Sequence, residues 1–90
     1  MGRQRRPQPR LLAKKLKEVR LEREWTQQQM ATALGKIPSA PDGAMISRYE
    51  RGEREPSLFV LLAYGHVAGV VVDVFIDDRI TLESFRKMLS

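Results

Sequence analysis

Residues 42–52 read Asp-Gly-Ala-Met-Ile-Ser-Arg-Tyr-Glu-Arg-Gly, and as a helix this stretch has two unlike faces. Ile46, Tyr49 and Glu50 stand at i, i+3 and i+4 and turn inward. Ala44, Ser47, Arg48 and Arg51 share the other side at i, i+3, i+4 and i+7. The outward face is small, polar and basic. Gly52 is a stop signal, because glycine accepts the left-handed conformation that ends many helices. A short helix with an apolar anchor and a slim cationic face suits a DNA major groove.

Immediately upstream, residues 36–42, Lys-Ile-Pro-Ser-Ala-Pro-Asp, form a loop stiffened by Pro38 and Pro41. Two starts are open for the helix that follows. Asp42 can cap a helix beginning at Gly43, or Ser39 and Asp42 can make a variant box with Pro41 in the first turn. The Asp42 start is preferred, because glycine inside a helix costs about 1 kcal/mol relative to alanine. Further back, Thr26-Gln27-Gln28-Gln29 is a capping box: the Thr26 hydroxyl accepts from the Gln29 amide and Gln29 reaches back. The helix it opens runs to Leu34, with Met30, Ala31 and Leu34 inward and Gly35 closing it. Trp25 stands where a hydrophobic staple against Met30 is expected.

Leu11 to Glu24 predicts a first helix with Leu12, Leu16 and Val19 as its inward stripe. Lys14, Lys15 and Lys17 lie largely off that stripe. Residues 1–10, with Pro7, Pro9 and four arginines, read as a flexible basic arm, either a solvated tail or a contact segment. Downstream of Gly52, Glu53 to Pro56 is a polar turn and Ser57 caps a fourth helix, Leu58 to Ala68, closed by Gly69. Its expected inward stripe is Leu58, Leu61, Leu62, Gly65 and Ala68. Phe59, Val60 and Tyr64 leave other sides of that helix apolar as well, which suggests a second packing surface. Val70 to Ile76 has strand propensity. Thr81 to Leu89 has the spacing of a last amphipathic helix, with Leu82, Phe85 and Leu89 on one side.

Composition narrows the classes. Ninety residues without a cysteine allow one small domain and offer neither a disulfide framework nor a thiolate metal site. A pI near 10.1 and a net charge of +5 favour a polyanionic partner. The basicity is concentrated: residues 1–23 hold nine Lys/Arg against Glu18 and Glu22, whereas residues 24–90 hold seven against nine acidic residues. The apolar run Leu58–Ile76 is about as long as a membrane span but contains His66 and Asp73, and a central Asp alone costs about 2.5–3.5 kcal/mol there. A cytoplasmic protein is expected. Nothing supports catalysis, a cofactor or a metal. His66 is the single histidine, with no carboxylate at i±3 or i±4, and Asp77-Asp78 reads as a solvated turn.

Several of these segments together resemble one family. Trp25-Thr26-Gln27-Gln28-Gln29-Met30-Ala31, Leu34-Gly35, Ile46-Ser47-Arg48-Tyr49-Glu50-Arg51-Gly52, Pro56-Ser57-Leu58 with Leu61-Leu62, and Gly69-Val70 with Asp73 resemble the Cro and phage-repressor type of helix-turn-helix domain, the XRE family. The resemblance spans roughly residues 11–77. It implies an all-α, compact five-helix bundle of the lambda-repressor-like DNA-binding type, preceded by the arm 1–10. Residues 78–90 would follow as an extension with an extra C-terminal helix for oligomerisation or partner binding. Helices two and three would be the helix-turn-helix, with helix 43–51 in the major groove.

The resemblance also implies a buried ion pair between helices one and three, falling on Arg20 and Glu50. Base-reading positions fall on Gly43, Ala44, Met45, Ser47 and Arg48. Phosphate contacts fall on Gln27 and Gln28, with Lys36, Arg51 and Arg54 as further candidates. Arg48 suits a bidentate contact to guanine, whereas Ala44 and Met45 can meet only a thymine methyl. The expected function is a sequence-specific transcriptional regulator that binds double-stranded DNA, as a homodimer on paired half-sites.

Two features depart from the family. The segment 36–45 is about five residues longer than the short turn of helix-turn-helix units, and Val71 stands where the family often has a capping serine. The second departure allows Val70–Val72 to be extended. The alternative reading is a protein-interaction module of antitoxin or adaptor type, engaging a partner through Phe59, Tyr64 and residues 79–90.

Overall fold

The computed structural model describes residues 8–89. Six helices follow in order: α1 (Leu12–Glu22), α2 (Gln27–Ala33), α3 (Gly43–Glu50), α4 (Leu58–Ala68), α5 (Asp73–Ile76) and α6 (Leu82–Leu89). No strand occurs among the described residues. The result is a compact all-α fold in which α1 contacts α3, α4 and α5, while α3 lies mainly on α2. No described helix is long and apolar enough to cross a membrane.

The caps expected from sequence set the helix starts. Thr26 Oγ1 accepts from the Gln29 amide at 3.1 Å, and Gln29 Oε1 accepts from the Thr26 amide at 2.8 Å. Asp42 Oδ1 accepts from Met45 N at 2.9 Å, and Ser57 Oγ accepts from Val60 N at 3.3 Å. Each such cap contributes about 1 kcal/mol. Gly52 takes φ 73° and completes a Schellman closure of α3, with Glu53 N donating to Arg48 O at 2.9 Å and Gly52 N to Tyr49 O at 3.1 Å.

One core joins the helices. Leu12, Leu16 and Val19 of α1 meet Met30, Ala31 and Leu34 around α2, Ile46 and Tyr49 of α3, and Val60, Leu61 and Tyr64 of α4. Val74 and Phe75 of α5 and Leu82 of α6 complete it. Trp25 and Ile37 pack half-buried against its edge. The Tyr64 and Phe75 rings meet edge to face at 6.2 Å.

Several expectations need correction. Helix α1 stops at Glu22, because Glu24 adopts a left-handed φ of 57° and closes the helix as a glycine would. Lys15 is buried, not off the stripe: its Nζ donates to Val74 O at 2.7 Å and Asp77 O at 3.0 Å. Burial pushes its ammonium below the ordinary lysine range, against the attraction of Asp78 and Asp77. Helix α4 is rotated from the expected stripe. Val60 and Tyr64 point into the core while Leu58 and Leu62 are exposed, so Tyr64 offers nothing to a partner. A helix apolar on every side carries no periodic signal to orient it. Residues 70–76 form no strand. After Gly69 (φ 70°), three residues lead into the single turn α5, and burial of Val74 and Phe75 overrides β-branched propensity.

The expected boundaries shift as well. Of the arm 1–10, residues 1–7 lie outside the described residues, and residues 9 and 10 are tied into α1. Pro9 O accepts from Leu12 N at 3.2 Å, and Asp78 accepts from the amides of Arg10 and Leu11 at 2.9 and 3.0 Å. Asp78 therefore anchors the chain entering α1 as well as forming part of a turn. The expected extension 78–90 belongs, over its described residues, to the same core through Leu82. Arg86 fastens it further, bonding Glu22 at 2.7 Å and Ala68 O at 2.9 Å.

Candidate nucleic-acid interface

The candidate surface is built on α3. Ile46 and Tyr49 anchor one side of it in the core, which turns Ala44 and Arg48 out to solvent and leaves Ser47 half-buried between them. Arg51 caps the C-terminal end and is exposed, with Nη2 3.2 Å from Glu53 Oε1. Lys36, in the turn after α2, and Arg54, beyond Gly52, are exposed as well. No ion-pair partner of Lys36, Arg48 or Arg54 occurs among the described residues.

Beneath this surface lies the ion pair. Arg20 Nε donates to Glu50 Oε2 at 2.7 Å and Nη2 to Oε1 at 2.9 Å, with side-chain exposures of 12% and 4%. The remaining Nη1 donates to Trp25 O at 2.8 Å, and Gln27 Nε2 donates to Glu50 Oε1 at 3.2 Å. One guanidinium thus ties α1, the α1–α2 turn and α3 together, and Gln27 adds α2. Its hydrogen bond with Glu50 raises the Arg20 pKa beyond the ordinary arginine value. A planar fork against a carboxylate fixes orientation as well as distance, so the pair sets the angle at which α3 leaves the bundle. The Tyr64 hydroxyl is buried with no hydrogen-bond partner among the described residues, and burial raises its pKa, with Glu50 and Tyr49 acting in the same direction.

The structure divides the sequence-derived site residues. Ala44, Arg48, Arg51, Arg54, Lys36 and Gln28 are exposed. Gln27 is half-buried and its amide supports Glu50 rather than projecting outward. Gly43 lies under α2, where an added Cβ would sit 3.0 Å from Gln28 Oε1 and 3.5 Å from Gln28 Cα. A side chain there would meet the backbone of α2 at ordinary contact distance and would have to displace only the exposed end of the Gln28 side chain. Met45 packs half-buried against the core and lines a cleft of about 470 Å³ with Pro41, Tyr49, Arg54 and Val60. The loop 36–42 forms part of this cleft, and within it Ser39 holds a left-handed φ of 58°.

Sequence reasoning missed the supporting roles of Gln27 and the Trp25 carbonyl, since neither spacing nor residue type announces a partner on another helix. Among the described residues no group of three or more His, Cys, Asp or Glu is placed to hold a metal ion. No protein-family model, curated protein or solved structure matches the chain.

Proposed function

We propose that this protein is a sequence-specific regulator of transcription that binds double-stranded DNA with a lambda-repressor-like domain of the XRE kind. Helices α2 and α3 form the helix-turn-helix and α3 enters the major groove. The observation that carries this reading is the exposed Ala44–Arg48 side of α3, held from beneath by the bidentate Arg20–Glu50 pair. Arg48 donates to guanine O6 and N7, Ser47 reaches an adjacent base edge, and Ala44 meets a thymine methyl. Lys36, Arg51, Arg54 and Gln28 contact phosphates to either side. Gln27, Gly43 and Met45 act indirectly, by setting the packing and angle of α3. The protein works in the cytoplasm as a homodimer on half-sites about 34–36 Å apart.

Selection of bound duplexes from a random library, followed by affinity measured against salt, tests this reading. A recovered motif with a two-fold repeat is expected. Log affinity should fall linearly with log salt, by about 0.9 for each phosphate neutralised. Absence of binding to any duplex at low salt would overturn it.

A further inference from the structure

The cleft between the loop 36–42 and α3 has apolar walls and one uncommitted charge. Pro41 of the loop, Met45 and Tyr49 of α3 and Val60 of α4 give it an apolar lining, and its volume is about 470 Å³. Small-molecule sites span about 300–1,000 Å³. Met45 and Tyr49 stand at i and i+4 and so share one side of α3. Pro41, Tyr49 and Val60 are buried, so the floor of the cleft belongs to the packed fold. Two acidic side chains also line it, and both are engaged. Asp42 accepts from Met45 N at 2.9 Å, and Glu55 has an interaction of its own. Arg54 lines the rim and is exposed, with no ion-pair partner among the described residues. Burial raises the Tyr49 pKa against the pull of Arg54, so the phenol beside that guanidinium keeps its proton and is a donor.

We infer that this cleft binds a small free carboxylic acid with an apolar body, held by Arg54 and Tyr49. The carboxylate takes the paired N–H donors of Arg54 and the Tyr49 hydroxyl. The body lies on Pro41, Met45 and Val60. Charge selects the sign of the ligand: with Asp42 and Glu55 engaged, Arg54 is the charge left over, and a guanidinium fork matches a carboxylate. The apolar walls select the body, since a bare anion would leave them in water. Met45 is unbranched and fits itself to bodies of differing shape. Arg54 so held is withdrawn from the phosphate backbone, so acid and duplex compete for one guanidinium. That competition rests on the DNA reading; occupancy of the cleft does not.

Titration of the isotope-labelled full chain with phenylacetate, followed by NMR, is the test. Shifts at Met45, Tyr49 and Val60 should saturate with a Kd of about 1 mM, ordinary for a ligand of this size. Phenylacetamide keeps the body without the charge, and acetate keeps the charge without the body. Each should bind about tenfold more weakly. The tripeptide glycylglycylphenylalanine ends in the same group and should also bind more weakly, because its amides would lie against apolar walls. Arg54→Gln should weaken phenylacetate about tenfold with an unchanged thermal melt, since Arg54 is exposed. Arg51→Gln, outside the cleft, should leave the Kd unchanged. At saturation with phenylacetate, duplex affinity should fall about twofold or more for the wild type and not for Arg54→Gln. No saturable shift with phenylacetate, equal binding of acetate or phenylacetamide, tighter binding of the tripeptide, or a Kd unmoved by Arg54→Gln would overturn the site. Undiminished duplex affinity at saturation would overturn the competition. A chain that binds phenylacetate but no duplex would overturn the DNA reading alone.

Discussion

Arg20 and Glu50 meet side-on, with both carboxylate oxygens 2.7–2.9 Å from guanidinium nitrogens and the Glu50 side chain only 4% exposed. Truncating the arginine leaves a buried carboxylate whose one remaining hydrogen-bond donor among the described residues is the Gln27 amide. Arg20→Ala should therefore cost about 3–5 kcal/mol. Arg20→Lys should recover only part of that, because an ammonium lacks the planar fork. Urea titrations of the three proteins check this. A loss below about 1 kcal/mol would mean that the pair behaves as an exposed one.

The candidate DNA contacts make two different predictions. Arg48→Ala should lose about 1–3 kcal/mol of discrimination at one base pair of each half-site. Lys36→Ala should weaken all duplexes alike and reduce the salt slope by about 0.9. Binding of both variants to a panel of singly substituted duplexes separates the two behaviours. A uniform effect from Arg48→Ala would remove it from base recognition.

Glu24 closes α1 in a left-handed conformation, φ 57°. Its amide donates to Leu21 O at 3.0 Å and the Trp25 amide to Arg20 O at 3.3 Å. A residue with a Cβ holds that conformation at a cost of about 1–2 kcal/mol. Glycine removes this cost but gives the unfolded chain more freedom. Glu24→Gly should raise stability by up to about 1 kcal/mol, seen as a higher thermal midpoint. A lower midpoint would show that the Glu24 side chain contributes more than its backbone strain.

Acid should act partly through Asp78. Hydrogen bonds from the Leu11 and Arg10 amides hold its carboxyl below the ordinary value of 3.8. A carboxyl depressed in the folded chain adds stability above its unfolded pKa and loses it as pH falls through the folded one. Thermal midpoints of the wild type and Asp78→Asn should differ at neutral pH and converge as pH falls below 3.8. A constant gap across that window would assign the difference to something other than the charge.

What could be read from the chain was local. Thr26, Asp42 and Ser57 cap helices through side chains three residues from their partners, and Gly52 and Gly69 take the positive φ their positions suggest. The inward and outward residues of α3 follow from helical period alone. What escaped reading was non-local or aperiodic. The chain leading into α1 is held by Asp78, far along the chain, and Lys15 is buried because Val74 of α5 and Asp77 just beyond it supply carbonyl oxygens. The facing of α4 was hidden by its uniform apolarity. At the candidate site, Gly43 and Met45 stand within α3 at positions facing α2 and the loop cleft, which the resemblance alone did not distinguish from exposed ones.

The long connection between α2 and α3 is closed at both ends by its own bonds. The Gly35 amide donates to Thr32 O at 3.1 Å, and Asp42 holds the first turn of α3. Between these two clasps the chain takes no part in the network around Arg20. Ile37 packs against the core and Pro41 is buried, whereas residues 38–40 between them are exposed. Doubling a flexible loop costs only about 0.6 kcal/mol in closure entropy, so it is at 38–40 that residues can be added while Ile37 and Pro41 keep their packing. The segment is where new recognition can be tried without rebuilding the domain.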